Sequence, residues 1–316
     1  MTIKDIPNKK VNNKPKILVI LGTTSAGKTS LGVKLASEFS GEIISADSRQ
    51  VYKGMDIGTG KDLGEYKVNG KKIKYHLIDV VSPKQKFDLA KYQKLADYAI
   101  KDILLRGKLP IIIGGTGLYI QALVDNLKLS SVKPDLKKRA LLEKFSAPEL
   151  FKKLIKLKPE FAVRLNNSDK NNKRRLIRYL EVISADGFEK TGRQDSPYNF
   201  LVLGLDFPDE IIKTRIIKRI KDRLDNEDMV QEVENLHKDG LTWERLESFG
   251  LEYKFISQYL QEKFDYEIMI DKLSIASYRF AKRQKTWFRR WQKQGQKINW
   301  VNDLVTARKL ISQFLK

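Results

Sequence analysis

The chain has 316 residues, 41% of them hydrophobic, which is enough to bury the cores of about two domains. It contains no cysteine, which excludes disulfides, thiol nucleophiles and cysteine-ligated metal sites, and only two histidines. The net charge of +22 indicates a polyanionic partner or an anionic substrate, unless it reflects only a lysine-rich proteome.

Residues 1–15 form a lysine-rich polar tail without the apolar core that a signal peptide needs. No later apolar run approaches the roughly 20 residues of a transmembrane helix. We therefore expect a cytoplasmic protein that does not contact a membrane.

Strands and helices alternate over the first 113 residues. Continuous apolar runs predict buried strands at Lys16–Leu21, Glu42–Asp47, His76–Val81 and Leu109–Ile113. Helical periodicity predicts helices at Lys28–Phe39 and Ala90–Leu105. This alternation predicts an α/β fold with a doubly wound, mostly parallel sheet that binds ligands at the carboxyl ends of its strands.

A phosphate-binding loop follows the first strand. Residues 22–29 fit the pattern G-x-x-x-x-G-K-[ST]: Gly22, Thr23, Thr24, Ser25, Ala26, Gly27, Lys28 and Thr29. Backbone N–H groups and the helix amino terminus of such a loop surround a diphosphate or triphosphate. Lys28 adds a point charge, and the Thr29 hydroxyl can reach Mg²⁺. The predicted fold is therefore P-loop NTPase-like.

Two acids end predicted strands. Asp47 follows the second strand and faces the phosphate loop in a doubly wound sheet, where it is either a general base or a helix cap. Asp79 lies in the third predicted strand, and it is either the metal-holding acid of a nucleotide hydrolase or an ordinary strand-end acid. The loop after the fourth strand, Gly114-Gly115-Thr116-Gly117, brings small residues and one hydroxyl to the same edge of the sheet.

Residues 126–197 show helical patterns, many bases and no convincing strand, so we predict an inserted all-helical subdomain. A fifth strand at Phe200–Phe207 returns the chain to the sheet, and the remainder is predicted to be helical. Residues 16–125 and 198–316 would then form the P-loop domain.

Two basic faces follow the fifth strand. Arg215, Arg219 and Arg223 recur every four residues and share one helix face, as a diphosphate site or as a solvated face balanced by Asp222 and Asp225. From Lys272 to Asn302 there are nine lysines and arginines and no acid. One face of the helix predicted in this segment is apolar and contains Leu273, Ala276, Phe280, Trp287 and Trp291. A second face is predicted to contact phosphates and contains Arg279, Arg283, Arg290 and Lys297.

Several segments, in order and spacing, resemble the tRNA dimethylallyltransferase (tRNA isopentenyltransferase) family. They are GTTSAGKTSLGVKLA, ISADSRQVYKGMDIGTGKD, HLIDVVSP and IIIGGTGLYIQAL. Further on, NNKRRLIRYLEV resembles the family's tRNA-contacting helix, and AKRQKTWFRRW resembles its C-terminal signature. The resemblance covers nearly the whole chain.

This resemblance implies transfer of the dimethylallyl group from dimethylallyl diphosphate to the exocyclic amine of the adenosine 3′-adjacent to the anticodon. The product is N6-dimethylallyladenosine, the cofactor is Mg²⁺, and the partner is the tRNA anticodon arm, with the chain expected to act as a monomer. It implies that Asp47 is the general base and that Thr29 lies near the leaving diphosphate. Lys28, Arg215, Arg219 and Arg223 would stabilise the charge of that diphosphate.

The expected tRNA contacts come from four regions. They are Asp47, Ser48, Arg49 and Gln50; Thr116; Lys137, Arg174, Arg175, Leu176, Ile177 and Arg178; and, from the basic face near the C-terminus, Arg279, Arg283 and Arg290. Lys137 stands where the family often has arginine, so the charge is kept without the bidentate fork.

Three other functions remain open from the residues themselves. An adenylate isopentenyltransferase acting on free nucleotide would share the phosphate loop but would have no use for the basic insertion. A P-loop NTPase or kinase would need a metal-holding strand-end acid and would not explain residues 44–62. A non-catalytic RNA-binding protein would not need both Asp47 and Thr29.

Overall fold

The computed structural model describes residues 14–185 and 192–316, so most of the predicted polar tail lies outside the described residues. The strands, numbered along the chain, are β1 (Lys16–Gly22), β2 (Gly41–Ser45), β3 (Lys67–Val68), β4 (Lys71–Lys72), β5 (Tyr75–His76), β6 (Leu109–Gly114), β7 (Asn199–Leu205) and β8 (Asn299–Val301). The helices are α1 (Lys28–Glu38), α2 (Leu89–Leu105), α3 (Gly117–Val124), α4 (Leu136–Leu142), α5 (Ala147–Leu157), α6 (Pro159–Ala162), α7 (Asn167–Lys170), α8 (Lys173–Ser184), α9 (Asp209–Asn226), α10 (Met229–Lys238), α11 (Trp243–Phe249), α12 (Leu251–Leu260), α13 (Tyr266–Lys293) and α14 (Leu304–Leu315).

Six strands form one parallel sheet in the order β5-β2-β6-β1-β7-β8. β1 is central because its apolar run is buried on both faces, between β6 and β7. Alternate residues of β1 point to opposite faces. Ile17, Val19 and Leu21 pack with α2 and α3, whereas Leu18 and Ile20 pack with α1 and α9. Helices on both faces confirm the predicted α/β, doubly wound fold.

Two predicted elements were wrong. The third predicted strand stops at His76, because Leu77 and Asp79 have φ of 63° and 57° and leave the extended conformation. The short strand β8 was missed within a segment predicted to be helical, and it pairs in parallel with β7. A small antiparallel hairpin, β3 with β4, was also not predicted.

The described residues fall into two compact units: those up to Val124 together with Ser196–Lys316, and those between Asp125 and Asp195. The sequence predicted an inserted subdomain at residues 126–197. The second unit contains α4 to α8 around its own core of Leu150, Leu154, Leu176, Ile177 and Leu180. Its only strand-like pairing within the described residues is the isolated bridge between Lys128 and Gly192. α8 begins where the Asn172 side chain accepts a hydrogen bond from Arg175 N at 3.1 Å.

Candidate active site

The first unit has an open cavity of about 330 Å³ at the carboxyl ends of β1, β2 and β6. Its lining joins the phosphate loop, the end of β2, the segment before β3, and α9 and α13. The lining residues are Thr24, Ser25, Gly27, Lys28, Thr29, Ser30, Asp47, Gln50, Thr59, Gly60, Asp62, Glu65, Tyr66, Ile113, Gly114, Gly115, Arg215, Arg219, Phe280 and Gln284. The cavity therefore lies where a doubly wound sheet binds its ligands.

The phosphate loop adopts the turn that its sequence predicts. Gly27 has a φ of 81°, a left-handed conformation that favours glycine, and α1 begins at the next residue. Gly22, Thr23 and Ala26 do not line the cavity, and the latter two are buried, so these three residues shape the loop without facing the cavity. Ser25 Oγ is buried and has no hydrogen-bond partner among the described residues. Leaving such a donor unpaired costs about 1–3 kcal/mol, so it is suited to a ligand oxygen.

Lys28 carries the positive charge of the loop into the cavity. Its Nζ donates to Thr23 O at 2.7 Å. Burial lowers the pKa of this ammonium to about 8, while the carboxylate of Asp47 opposes the shift and Arg219 adds to it. The charge is therefore present at neutral pH and is lost in moderately alkaline solution.

Binding of inorganic pyrophosphate is expected to weaken as the pH rises from 7 to 9.5. Only the protonated Lys28 attracts the anion, so above pH 8 the Kd should rise by up to about tenfold per pH unit. Calorimetric titrations at several pH values measure this. The control is Lys28→Met, whose Kd changes with pH only through the titration of pyrophosphate itself. Its plot of Kd against pH should therefore lack the change of slope near pH 8. A wild-type Kd that follows the variant across this range would contradict the prediction.

Asp47 follows β2 and faces the same cavity. Its Oδ1 accepts from Arg49 N at 2.8 Å, which closes a turn rather than capping a helix. No other hydrogen bond to this carboxylate is made within the described part of the chain. The alternative interpretation of Asp47 as a helix cap is therefore wrong. Its carboxylate is available for proton transfer.

The predicted residues next to Asp47 hold the site together. Ser48 N donates to Thr116 Oγ1 at 3.0 Å, which joins the loops after β2 and β6. The Gln50 amide accepts from Ser45 Oγ and donates to Gly60 O, both at 2.8 Å, so its polar atoms are engaged inside the protein. Burial lowers the pKa of the Arg49 guanidinium, which lies over the Phe249 ring at 5.9 Å.

Of the three arginines on α9, two reach the cavity. Arg219 donates from Nη2 to Thr24 Oγ1 at 2.7 Å, and its buried Nε has no partner among the residues described. Arg215 is exposed, lines the cavity and lies over the Phe207 ring at 4.5 Å. Arg223 is 3% exposed, pairs with Asp62 at 3.1 Å and does not line the cavity. The prediction that Arg223 binds a diphosphate was therefore wrong, because its buried guanidinium is already paired with Asp62, a carboxylate of the cavity wall.

Asp79 is not a metal-holding acid. The buried Lys61 donates to Asp79, Asp56 and, at 2.7 Å, to Tyr52 O, and Asp79 is not part of the cavity wall. A buried ammonium needs such partners, because an unpaired charge is costly to bury. The hypothesis that Asp79 is the metal-holding acid of a nucleotide hydrolase is therefore wrong.

Two residues that anchor the cavity wall were not predicted. Glu232 accepts from the backbone N–H groups of Asp56, Ile57 and Gly58 at 2.7 to 3.1 Å, and so fixes the segment that ends in the wall residues Thr59 and Gly60. Nothing in the local sequence identifies this long-range role. Gln284 contacts the phosphate loop, and the segment AKRQKTWFRRW already singled out its neighbourhood.

In the inserted unit, the predicted tRNA contacts fall into two groups. Lys137 and Arg174 are exposed. Arg175 pairs with Asp169, and Arg178 donates to Val132 O at 2.7 Å and pairs with Glu181. Leu176 and Ile177 are 0% and 3% exposed and form the unit's core, so the prediction that their side chains contact tRNA was wrong.

On α13, Arg279, Arg283 and Arg290 are exposed, as predicted for a basic face. The helix ends at Lys293, so Lys297 lies beyond it. The buried face shares only Leu273 and Trp291 with the predicted apolar face; its other residues include Ser277, Ala281, Gln284 and Phe288. Phe280 and Trp287 are only partly buried; Phe280 faces the cavity, and Trp287 lies under Arg290 at 4.4 Å.

None of the helices described is both long enough and apolar enough to span a membrane. The profile of the IPP transferase family matches residues 50–291, and the profile of the isopentenyl transferases matches residues 15–79.

Individual relatives agree with these profiles. The chain is 42% identical to tRNA dimethylallyltransferase 1 of Syntrophus aciditrophicus, covering 90% of this chain and 93% of the relative. It is 44% identical to tRNA dimethylallyltransferase 2 of Treponema denticola, covering 92% and 97%. Among solved structures, the full-length tRNA isopentenylpyrophosphate transferase of Bacillus halodurans superposes with a TM-score of 0.68, at 34% identity and 96% coverage of both chains. A eukaryotic dimethylallyltransferase described as acting on tRNA gives a TM-score of 0.69 at 28% identity, covering 86% of this chain and 69% of that one.

Proposed function

Since the chain belongs to the IPP transferase family, and within it to the tRNA dimethylallyltransferases, we propose that it prenylates tRNA. It transfers the dimethylallyl group of dimethylallyl diphosphate to N6 of the adenosine 3′-adjacent to the anticodon. The products are N6-dimethylallyladenosine and diphosphate.

One observation carries this proposal: a cationic phosphate loop and a carboxylate free for proton transfer share one cavity. Lys28, Thr29 and Asp47 all line it. A phosphate-binding loop alone would equally suit a kinase or a hydrolase, but those enzymes need a strand-end acid for the metal. The candidate for that acid, Asp79, is bound to Lys61. The combination that remains suits displacement of a diphosphate by a nucleophile that must lose a proton.

The transfer requires one bond to form and one to break. As N6 bonds to the allylic carbon, the bond from that carbon to the diphosphate oxygen breaks and the electron pair leaves with the diphosphate. Asp47 accepts the proton of N6, an action that typically contributes about 10²- to 10⁴-fold in rate. Lys28 and Arg219 face the negative charge that develops on the leaving group, and the Thr29 hydroxyl is available to donate to it.

Mg²⁺ fits the oxygen atoms of this cavity. The Ser25 and Thr29 hydroxyls are hard oxygen ligands of the kind that Mg²⁺ prefers, and the buried Ser25 Oγ lacks a hydrogen-bond partner in the described structure. No group of three or more histidines and acids among the described residues is placed to hold a metal, so water and diphosphate oxygens would complete the coordination. When bound, the ion would neutralise part of the charge of the diphosphate.

The acceptor side needs cations that can reach phosphates of the anticodon arm. Lys137, Arg174, Arg279, Arg283 and Arg290 are exposed, and none of them forms an ion pair with a described acid. Each phosphate contact releases counterions, so tRNA binding should weaken with salt. Since Lys28, Thr29 and Asp47 already meet within one unit of the chain, we propose a monomeric enzyme that meets its tRNA in the cytoplasm.

Incubation with radiolabelled dimethylallyl diphosphate and Mg²⁺ tests the function. Unmodified tRNA and free AMP are offered in parallel, and we expect label in tRNA alone. Label in AMP alone would instead make the chain an adenylate isopentenyltransferase. Hydrolysis of ATP with neither acceptor labelled would contradict prenyl transfer altogether.

A further inference from the structure

A buried glutamine joins the phosphate loop to the longest helix of the protein. Gln284 lies in the middle of α13 and is 7% exposed. Its Oε1 accepts from Thr24 N at 2.8 Å, and its Nε2 donates to Gly115 O at 2.9 Å. One amide thus satisfies two backbone groups, in the loops after β1 and β6, that no secondary structure would otherwise pair.

The loop after β6 is shaped to accept this contact. A Cβ added to Gly115 would lie 2.3 Å from Gln284 Nε2, and one added to Gly117 would lie 2.4 Å from Cδ1 of Trp287. Only glycine allows the backbone to approach α13 this closely. The helix α13 therefore packs directly on the phosphate loop and on the loop after β6 that contains Thr116.

Thr24 is held from two sides. Its N–H donates to Gln284, and its hydroxyl accepts from Arg219 on α9 at 2.7 Å. Because the Thr24 N–H is already bonded, it is not offered to a phosphate. Gln284 therefore helps to decide which N–H groups of the loop are left for a ligand.

We propose that Gln284 is a positioning residue through which α13 sets the geometry of the phosphate loop for the prenyl diphosphate. This inference rests on the proposed function, since the donor is the ligand being positioned. The same helix presents Arg279, Arg283 and Arg290 to solvent, so a helix expected to contact tRNA also holds the donor loop. Misplacement of reacting groups by about 1 Å can cost about 10²-fold in rate, so a small shift of this loop matters.

Gln284→Leu tests the proposal, because it keeps the side chain's size and removes both hydrogen bonds. The control is Gln292→Leu, on the same helix, where the glutamine accepts from Trp300 Nε1 at 3.0 Å away from the cavity. Measurements are the Kd of inorganic pyrophosphate without tRNA, KM and kcat for dimethylallyl diphosphate with tRNA, and the Kd of tRNA. We expect Gln284→Leu to lower kcat/KM for the donor by about 10- to 100-fold and to weaken pyrophosphate binding, with tRNA affinity unchanged. Gln292→Leu should alter none of these.

Gly115→Ala disturbs the same contact from the other side. Its added Cβ displaces only the flexible end of Gln284, so the fold is retained even if Gln284→Leu does not fold. It should show the same donor-specific loss, and the double variant should lose no more, because both changes break one contact. Unchanged donor kinetics and pyrophosphate binding, or equal loss of donor and tRNA binding, would overturn the positioning role. A wild-type protein that fails to label tRNA would instead overturn the proposed function.

Discussion

Replacing Asp47 with asparagine is expected to lower kcat for tRNA prenylation by about 10³-fold, within the range usual for a general base. The amide keeps the shape of the side chain and can still accept from Arg49 N, so the turn after β2 is retained. It cannot take the N6 proton as the new bond forms. Single-turnover assays with saturating tRNA and donor measure the effect, and filter binding should show little change in tRNA affinity.

Donor affinity must be measured alongside, because the Asp47 carboxylate also supports the charge on Lys28. The competing candidate is Glu65, a further carboxyl of the cavity wall, whose own pKa is raised by burial. Glu65→Gln should lower kcat far less than Asp47→Asn. Equal losses in the two variants, or parallel loss of catalysis and tRNA binding in Asp47→Asn, would contradict the assignment of Asp47 as the base.

Arg219→Ala is expected to lower kcat/KM for dimethylallyl diphosphate by about 10²- to 10³-fold, since it removes a cation aimed at the leaving group. Burial and the neighbouring Arg223 lower the pKa of Arg219, yet a guanidinium stays charged near neutral pH. Its unpaired buried Nε leaves a donor available for a diphosphate oxygen. The variant also frees the Thr24 hydroxyl, so both KM and kcat should change.

The matched control is Lys218→Ala, one residue earlier on α9, where the lysine is exposed and does not line the cavity. Steady-state kinetics over a range of donor concentrations compare the two variants. Arg219→Lys should recover part of the activity, because it restores the charge without the planar fork. The role of Arg219 would be refuted if the alanine variant matched Lys218→Ala in both parameters.

Features that depend on neighbouring residues could be predicted from the sequence. The buried strands β1, β2, β6 and β7 and the helices α1 and α2 each carry a continuous or periodic apolar pattern that specifies them locally. The phosphate loop is equally local, because its glycines and its place between a strand and a helix determine the turn. These elements by themselves predict that Lys28, Thr29 and Asp47 lie at one edge of the sheet.

Features that depend on distant partners could not be predicted in this way. The spacing of Arg215, Arg219 and Arg223 shows that they share a helix face, but not that Asp62 neutralises the third of them. Arg174 to Arg178 form a run of bases and apolar residues, and only the packing of α8 shows that Leu176 and Ile177 are buried. Asp79 follows an apolar run, but only the fold brings Lys61 against it.

The two kinds of feature differ because hydrogen bonds and ion pairs are short-ranged in space, whereas their partners are far apart in the chain. Gln284 bonds Thr24 across 260 residues, and Glu232 holds Asp56 across 176. Local patterns therefore determined the sheet, the phosphate loop and the chemistry that they allow. The tertiary structure alone decided which charges are neutralised inside the protein, which remain free for a ligand, and which side chains hold the catalytic loops in place.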